Sequence, residues 1–217
     1  MSKSVGSSIY NAPSIYESGQ GVGASSTIGG REYKTVTIDG VTWLAENLDF
    51  KFCVIGGGGT PSTPNAWYYN NDETTYGIDG IRKCGLLYNW FAVHLLNDYK
   101  NELIPGWHVP TYDEWNALEN SVGGKGVAGT RLKAINGSAN GKWPTGWNGT
   151  DEFGFTVFPA GSRFSGSFYD VGSYSYMWTD TESSSSNAYN YFFNSGASIN
   201  NGKSGKDFAY SVRLVKD

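Results

Sequence analysis

The chain has 217 residues, of which 17% are charged, 16% are aromatic and 30 are glycine. A formal net charge of -4 argues against a nucleic-acid-binding surface, which needs clustered Lys and Arg. The surplus of aromatic residues excludes an intrinsically disordered chain, and a coiled coil would be richer in Ala, Glu, Lys and Leu. The composition favours a loop-rich β or α+β domain.

The first thirty residues are rich in Ser and Gly and lack the run of roughly 7–15 apolar residues that marks a secretory signal. The sequence contains no stretch of about 18 apolar residues, so we expect no membrane span. Isolated Ile-Tyr pairs leave two interpretations open, a flexible arm or an arm that docks on this domain or on a neighbouring subunit. We therefore divide the chain into an N-terminal arm or tether over 1–30 and a ligand-binding domain over 31–217.

Two alternating runs near the start of this domain predict a β-hairpin. Residues 33–38 and 41–44 flank Asp39-Gly40, a dipeptide that favours a tight turn. Four consecutive glycines and two prolines then predict a loop over 52–64.

Two helices are predicted in the middle of the chain. The first is expected over 85–96, where apolar residues recur at helical spacing. The second begins after Thr111, which forms a capping box with Glu114, and ends at Gly123-Gly124. A short helical turn is expected over 128–134.

The C-terminal half is expected to contain short strands and long loops. Alternating or aromatic runs predict strands over 153–158, 189–193 and 211–215. A hairpin followed by two helices and a β-rich half indicates an α+β fold.

Six short motifs occur in a characteristic order between residues 31 and 217. They are Gly40-Val41-Thr42-Trp43-Leu44-Ala45-Glu46-Asn47-Leu48; Leu87-Tyr88-Asn89-Trp90; Gly106-Trp107-His108-Val109-Pro110 with Glu114-Trp115; Gly154-Phe155 with Pro159-Ala160-Gly161-Ser162-Arg163; Trp178-Thr179-Asp180-Thr181-Glu182; and Ser211-Val212-Arg213. In this order and spacing the chain resembles the Fibrobacter succinogenes major paralogous domain.

The resemblance implies a C-type-lectin-like domain with two helices, short antiparallel strands and long irregular loops. That family is similar to the formylglycine-generating enzyme and to the variable proteins of diversity-generating retroelements. The resemblance therefore implies a binding module, although it supplies no ligand.

The sequence offers little support for catalysis. The formylglycine-generating relatives use cysteines in the C-terminal half, whereas Cys53 and Cys84 lie in the N-terminal half. His94 and His108 are interpreted as packed structural residues, and the sequence has neither a Gly-x-Ser-x-Gly elbow nor a phosphate-binding loop. We expect no enzymatic activity, no catalytic residues and no cofactor; a degenerate enzyme of the formylglycine-generating type is a further alternative.

No metal site is expected either. Thr63-Pro64-Asn65 and Trp147-Asn148-Gly149 lack the carboxylates with which sugar-binding C-type lectins hold calcium. Asp151 and Glu152 are interpreted as solvated turn residues, with a calcium site left open as the alternative. Cys53 and Cys84 could form a disulfide or remain two thiols.

The stretch from Phe164 to Gly202 has an unusual composition. Tyr, Ser, Gly and Asn supply 24 of its 39 residues, and only three residues are charged. Antibody paratopes share this composition, because tyrosines give rigid contact area and small polar residues give adaptable hydrogen bonds. Because Tyr189, Tyr191 and Phe193 alternate, we expect them on a buried strand face, with Asn190 and Phe192 pointing the other way.

The same stretch supplies the predicted ligand-binding residues. Their residue types also fit the adenine-directed diversification of the retroelement relatives, so these positions are candidates for hypervariability. The predicted residues are Tyr174, Tyr176, Asp180, Ser183, Ser184, Ser185, Ser186, Asn187, Asn190, Phe192, Asn194, Ser195, Ser198, Asn200 and Asn201.

These inferences predict a non-enzymatic display protein that binds an unknown protein or glycan ligand on a cell surface. The absence of a secretory signal favours a receptor-binding or virion-surface protein of a phage, and the expected location is a virion or a cell surface. The arm could mediate homo-oligomer or virion assembly. The alternative is a carbohydrate-binding surface protein of the same fold that stacks sugars on Trp143 and Trp147.

Overall fold

A computed structural model describes residues 24–57, 62–73, 84–135 and 143–217. Within these residues the chain is built mainly from β-strands, which form sheets of five, three and six strands. The strands are β1 Ser25–Ile28, β2 Arg31–Ile38, β3 Val41–Leu44, β4 Val54–Ile55, β5 Asn65–Trp67, β6 Leu87–Asn89, β7 Trp107–His108, β8 Ser162–Phe164, β9 Ser167–Tyr169, β10 Ser175–Glu182, β11 Asn187–Phe193, β12 Asn200–Gly205, β13 Ala209–Tyr210 and β14 Val215–Lys216.

Helices are short and few in the described part of the chain, and none is long and apolar enough to span a membrane. They are a 3-10 turn at Tyr69–Asn71 and the α-helices α1 Trp90–Asp98, α2 Lys100–Leu103, α3 Tyr112–Ser121 and α4 Lys125–Leu132. The strand orders are β1-β2-β3-β14-β7, β10-β11-β12 and β4-β5-β6-β13-β8-β9. The prediction of an α+β, C-type-lectin-like fold is therefore wrong, because the chain builds three sheets rather than a helix-and-strand arrangement.

The predicted hairpin is confirmed. Strands β2 and β3 pair in antiparallel register from Thr35–Leu44 to Ile38–Val41. Asp39 and Gly40 both have positive φ, 49° and 79°, as a two-residue type I′ turn requires. Strand β1 pairs with β2, so residues 25–28 of the predicted arm join this sheet, whereas residues 1–23 lie outside the described residues.

The first predicted helix begins later than expected. Residues 87–89 form β6, a strand inside the six-stranded sheet, and α1 starts at Trp90 behind the N-cap Asn89, whose side chain accepts from the Ala92 amide. The strand is buried throughout, so its apolar run lacks the alternation that would distinguish it from a helix.

The second predicted helix is confirmed as α3. The Thr111 side chain accepts from the Glu114 amide, and the Glu114 carboxylate accepts from the Thr111 amide, so both halves of the capping box are present. The expected helical turn corresponds to α4.

The strands expected over 153–158 and 211–215 are largely wrong. Residues 153–156 lie in an irregular segment in which the Asp151 carboxylate accepts from the Thr156 amide and Thr156 has a φ of 55°. Only bridges at Val157 and Ser211 and the short strand β14 remain of these two predictions.

Two hydrophobic cores lie on opposite faces of the sheet β10-β11-β12. Trp178 and Ala188 belong to the core that includes α1. Met177, Tyr191 and Phe193 belong to the core beneath α3, where Tyr191 stacks on Trp115 at 5.5 Å. Strands β10 and β11 are therefore covered on both sides near the centre of the sheet, whereas Asn201 and Lys203 on the edge strand β12 are exposed.

Candidate ligand-binding surface

Five partly exposed aromatic side chains meet at one end of the three-stranded sheet, and we call them the aromatic surface: Phe164, Tyr174, Tyr176, Phe192 and Phe208. The rings of Tyr174 and Tyr176 lie 5.6 Å apart and nearly parallel, and Phe192 lies 5.9 Å from Tyr176. Phe164 stacks on Phe208 at 4.0 Å. These contacts make two groups of rings rather than isolated exposed residues.

The buried ring of Tyr210 joins the two halves of the aromatic surface. It stacks on Tyr176 at 4.8 Å and lies 5.8 Å from Phe208. Tyr210 is 3% exposed and also packs on Trp178, so the array rests directly on the core.

Strand register explains why these residues come together. Tyr176 on β10 pairs with Phe192 on β11, and Phe192 pairs with Asn200 on β12. Directly opposed residues of antiparallel strands project from the same face of the sheet. The three side chains therefore form a row across the sheet, with an amide at its outer edge.

Backbone and side-chain hydrogen bonds fix β10 against the neighbouring sheet. The Ser211 amide donates to the Tyr176 carbonyl, and the Gly161 amide donates to the Tyr174 carbonyl. The Trp178 indole Nε1 donates to the Tyr88 carbonyl at 2.9 Å inside the core. The aromatic surface is thus built on a rigid support, which lowers the conformational entropy that binding would cost.

The polar groups beside the rings are mainly hydroxyls and amides. The Tyr176 hydroxyl donates to the Asp170 carboxylate at 3.3 Å, and the Tyr210 hydroxyl lies 2.9 Å from Ser204 Oγ. Burial raises the pKa of Tyr176 and raises that of Tyr210 to about 12, so both phenols are neutral at physiological pH. The rings therefore combine apolar contact area with neutral hydrogen-bonding groups.

The predicted residues Ser183, Ser184, Ser185, Ser186 and Asn187 lie at the opposite end of the sheet, in the β10–β11 turn. This turn is closed by its own hydrogen bonds, including one from the Asn187 amide to Ser184 Oγ. It is remote from the row of Tyr176, Phe192 and Asn200, and the two groups do not form one surface.

Two other predicted residues are engaged within the protein. Asn190 is 2% exposed, and its Nδ2 donates to Ser204 Oγ at 3.0 Å. Asp180 accepts a hydrogen bond from the Asn97 side chain, and burial raises its carboxyl pKa. Neither side chain contributes to the aromatic surface.

The β11–β12 loop contains Asn194, Ser195 and Ser198 and adjoins the end of the sheet where Phe192 lies. The buried Lys133 ammonium anchors this loop by donating to the carbonyls of Asn194 and Gly196 at 2.8 and 3.0 Å. Asn201 is exposed on the other face of β12, opposite Tyr191.

Sequence reasoning missed Phe164 and Phe208 as members of the aromatic surface. Phe164 is on β8 and Phe208 lies just before β13, so both reach the array from the six-stranded sheet and not from the three-stranded one. Phe164 marks the start of the aromatic-rich stretch, but nothing local in the sequence places it against Phe208.

The candidate catalytic and sugar-stacking residues have other surroundings. His108 is held between Glu114 and Asp217 at 2.8 and 2.6 Å, and these hydrogen bonds raise its pKa. His94 is half exposed and stacks on Trp90. Trp143 is 2% exposed, and its Nε1 donates to the Val157 carbonyl, so it cannot present a sugar-stacking face.

Trp147 is partly buried against the core that includes Trp143. Both cysteines are thiols, and burial raises the pKa of Cys53 to about 12. Within the described ranges no cluster of His, Cys, Asp and Glu side chains is arranged to hold a metal ion.

Comparison with known protein families supports the resemblance that the sequence motifs indicate. No curated protein and no solved structure matches the chain. The family model of the Fibrobacter succinogenes major domain matches residues 36–216, which include the supporting residue Trp178 and every member of the aromatic surface. The chain therefore belongs to the Fibrobacter succinogenes major domain family.

Proposed function

We propose that the protein is a non-enzymatic binding module that recognises a protein or glycan ligand through the aromatic surface. The observation that carries this proposal is the meeting of five partly exposed rings at one end of the three-stranded sheet, in two groups that both pack on the buried ring of Tyr210. An apolar patch bordered by polar groups is typical of an interaction site, and Tyr and Phe rings give contact area at low entropic cost.

The energetics of folding alone do not account for Phe192. It belongs to none of the hydrophobic clusters found among the described residues, although its neighbours Tyr191 and Phe193 are fully buried. Its ring contacts Tyr176 at the margin of the core instead. A ligand that covers both rings would remove further apolar area from water, at about 25 cal/mol for each Å².

The polar neighbours favour a ligand with an uncharged contact face. Tyr176 is a neutral phenol that donates to Asp170, and Asn200 adds an amide at the edge of the row; the Tyr210 hydroxyl is buried beneath them beside Ser204. Such groups suit the hydroxyls of a neutral sugar or the backbone of a peptide. Because Trp143 is buried, a carbohydrate ligand would stack on the rings of the aromatic surface instead.

The test screens the full chain on a glycan array and against a library of random peptides, and then measures the best ligand on variants. Phe192→Ala and Tyr174→Ala should each weaken binding at least tenfold, because each removes a ring from the array. Tyr169→Ala is the matched control, since Tyr169 is 46% exposed but lies outside the array.

Two outcomes contradict the proposal. One is that neither screen yields a ligand at micromolar concentrations of protein. The other is a ligand whose affinity is unchanged in both ring variants while their melting temperatures remain near that of the parent chain.

The expected setting, display on a virion or cell surface with retroelement-driven diversification, belongs to the same proposal. It predicts a near-copy of the 3′ coding sequence beside a reverse-transcriptase gene. If no such copy exists, diversification is excluded, whereas binding through the aromatic surface is unaffected.

A further inference from the structure

Arg163 lies on β8 in one of the family motifs, and its side chain is on the face of the six-stranded sheet opposite Phe164. Its guanidinium carbon is 4.0 Å from the centre of the Trp67 ring and 5.6 Å from that of Phe168. Trp67 is 5% exposed and Phe168 is partly buried. The guanidinium therefore lies against two aromatic rings.

No acceptor for the Arg163 guanidinium occurs among residues 24–57, 62–73, 84–135 and 143–217. Its Nε is buried without a hydrogen bond, whereas the two terminal nitrogens, which also lack an acceptor in these ranges, keep contact with solvent. Burial lowers the pKa of this group, and no carboxylate among the described residues counteracts the effect.

The other arginines in the described ranges contrast with Arg163. Arg31 is 3.4 Å from Glu46, and Arg131 is 3.2 Å from Glu152. Arg213 is fully buried and donates to the Asn47 side chain and to backbone carbonyls. Charged groups removed from water are normally paired, so a guanidinium without an acceptor is unusual among the four arginines that the structure describes.

The strands around Arg163 fix its position. Arg163 pairs with Phe168 on β9 and with Ala209 on β13, and Ala209 pairs with Asn89 on β6. Trp67 pairs with Leu87, which lies two positions before Asn89 on β6 and therefore projects from the same face of the sheet. The guanidinium and the two rings beside it thus belong to side chains of one continuous sheet. A ligand would meet the two terminal nitrogens of Arg163 in a preorganised position.

We propose that Arg163, Trp67 and Phe168 form a second binding site, which takes a carboxylate carried on a compact uncharged body. The planar fork of a guanidinium matches the two oxygens of a carboxylate. The buried Trp67 ring supports the guanidinium, and the partly exposed Phe168 ring can pack against the body. A carboxylate is favoured over a phosphate dianion because the site supplies a single positive charge. Sugar acids and acylated amino acids share this chemistry.

The site is independent of the aromatic surface. Arg163 and Phe164 are consecutive strand residues, so their side chains project to opposite faces of the sheet. Loss of one site should therefore leave the other able to bind.

The experiment follows the arginine Nε–Hε signals of the full chain by ¹H–¹⁵N NMR. Methyl α-D-glucuronide and N-acetylglycine are titrated separately, with methyl α-D-glucoside as the neutral match and sodium chloride at equal ionic strength as the salt control. The Arg163 signal, identified by its loss in Arg163→Lys, should shift saturably with at least one acid and with neither control. The acid that saturates at the lower concentration identifies which source of the carboxylate the site prefers.

Variants then test the role of the fork. Arg163→Gln should weaken acid binding roughly 10- to 100-fold, the range expected for a charge-assisted bond, and Arg163→Lys at least about tenfold, because it keeps the charge but loses the fork. Arg131→Gln is the matched control and should bind like the parent chain.

Three results would overturn the proposal. They are no saturable shift with either acid in the parent chain, an equal shift with sodium chloride, or full retention of binding in a folded Arg163→Gln variant. The parent titration decides the question even where one variant fails to fold, because the loss of the signal in either Arg163→Lys or Arg163→Gln identifies it as that of Arg163.

Discussion

Trp178 and Phe192 lie on the same face of one sheet, yet their substitution by Ala should have very different effects on stability. Trp178 is fully buried, packs on Tyr210 at 4.5 Å and donates to the Tyr88 carbonyl. Trp178→Ala should lower the free energy of unfolding by about 3–5 kcal/mol because the ring is lost. The value should lie toward the upper end because the Tyr88 carbonyl loses its indole donor.

Phe192 is partly exposed and lies outside the hydrophobic clusters found in the described residues. Phe192→Ala should therefore cost about 1 kcal/mol, the cost of a partly buried ring contact with Tyr176. Trp178→Phe separates the packing of the ring from the indole hydrogen bond, because it keeps a ring but loses the donor. Its loss of stability should lie between those of the two Ala variants.

Urea unfolding at fixed pH and thermal unfolding measure these differences. For a chain of this size about 1 kcal/mol changes the melting temperature by roughly 2–4 °C. Trp178→Ala should then lower it by roughly 6–20 °C, and Phe192→Ala by a few degrees at most. Equal losses for the two Ala variants would refute the assignment of Phe192 to a surface and would remove the basis of the proposed function.

Three further predictions concern the supporting structure. His108→Gln should lower the free energy of unfolding by about 1 kcal/mol or less at pH 5.5 and by progressively less at higher pH. Hydrogen bonds to Glu114 and Asp217 raise the pKa of the folded histidine, so their contribution is fully present below the unfolded pKa of about 6.5 and is lost as the pH rises through the folded pKa. Urea unfolding at several pH values measures this difference. Thr111→Ala should cost about 1 kcal/mol in urea unfolding through loss of the capping box, with Thr111→Ser as the conservative control. Lys133→Met should cost about 3 kcal/mol or more and speed hydrogen exchange in the β11–β12 loop, because three backbone carbonyls lose their buried donor; unchanged exchange in that loop would contradict the anchoring role.

Local signals in the sequence were sufficient for some elements and insufficient for others. The Asp39-Gly40 turn and the capping box at Thr111 are settled by residues within a few positions of each other, and both predictions are confirmed. Residues 87–89 lack such a signal, because a short apolar run buried on both sides looks the same in a strand and a helix. The fold class was wrong for a related reason: three sheets are assembled from strands of which many have only two or three residues, and such strands leave almost no periodicity.

The candidate site shows the same division between local and distant information. The alternation of side chains correctly placed Tyr191 and Phe193 on the opposite face of the strand from Phe192. The face to which a strand residue points depends only on its position along the strand, which is local information. Parity does not determine exposure, however, because both faces of this sheet carry a core, and Asn190 is buried on the face where Phe192 is partly open.

The charge-poor composition of residues 164–202 has two physical causes that the sequence alone could not separate. Part of the aromatic content fills cores on both faces of one sheet, as the complete burial of Trp178 and Phe193 requires. Another part lies at one end of that sheet, where Tyr176 and Phe192 are joined to Phe208 of the six-stranded sheet region through the shared contact with Tyr210. Because the surface rings rest on core rings, the same aromatic excess that stabilises the fold also makes the surface rigid, and a rigid aromatic surface is what low-entropy recognition needs.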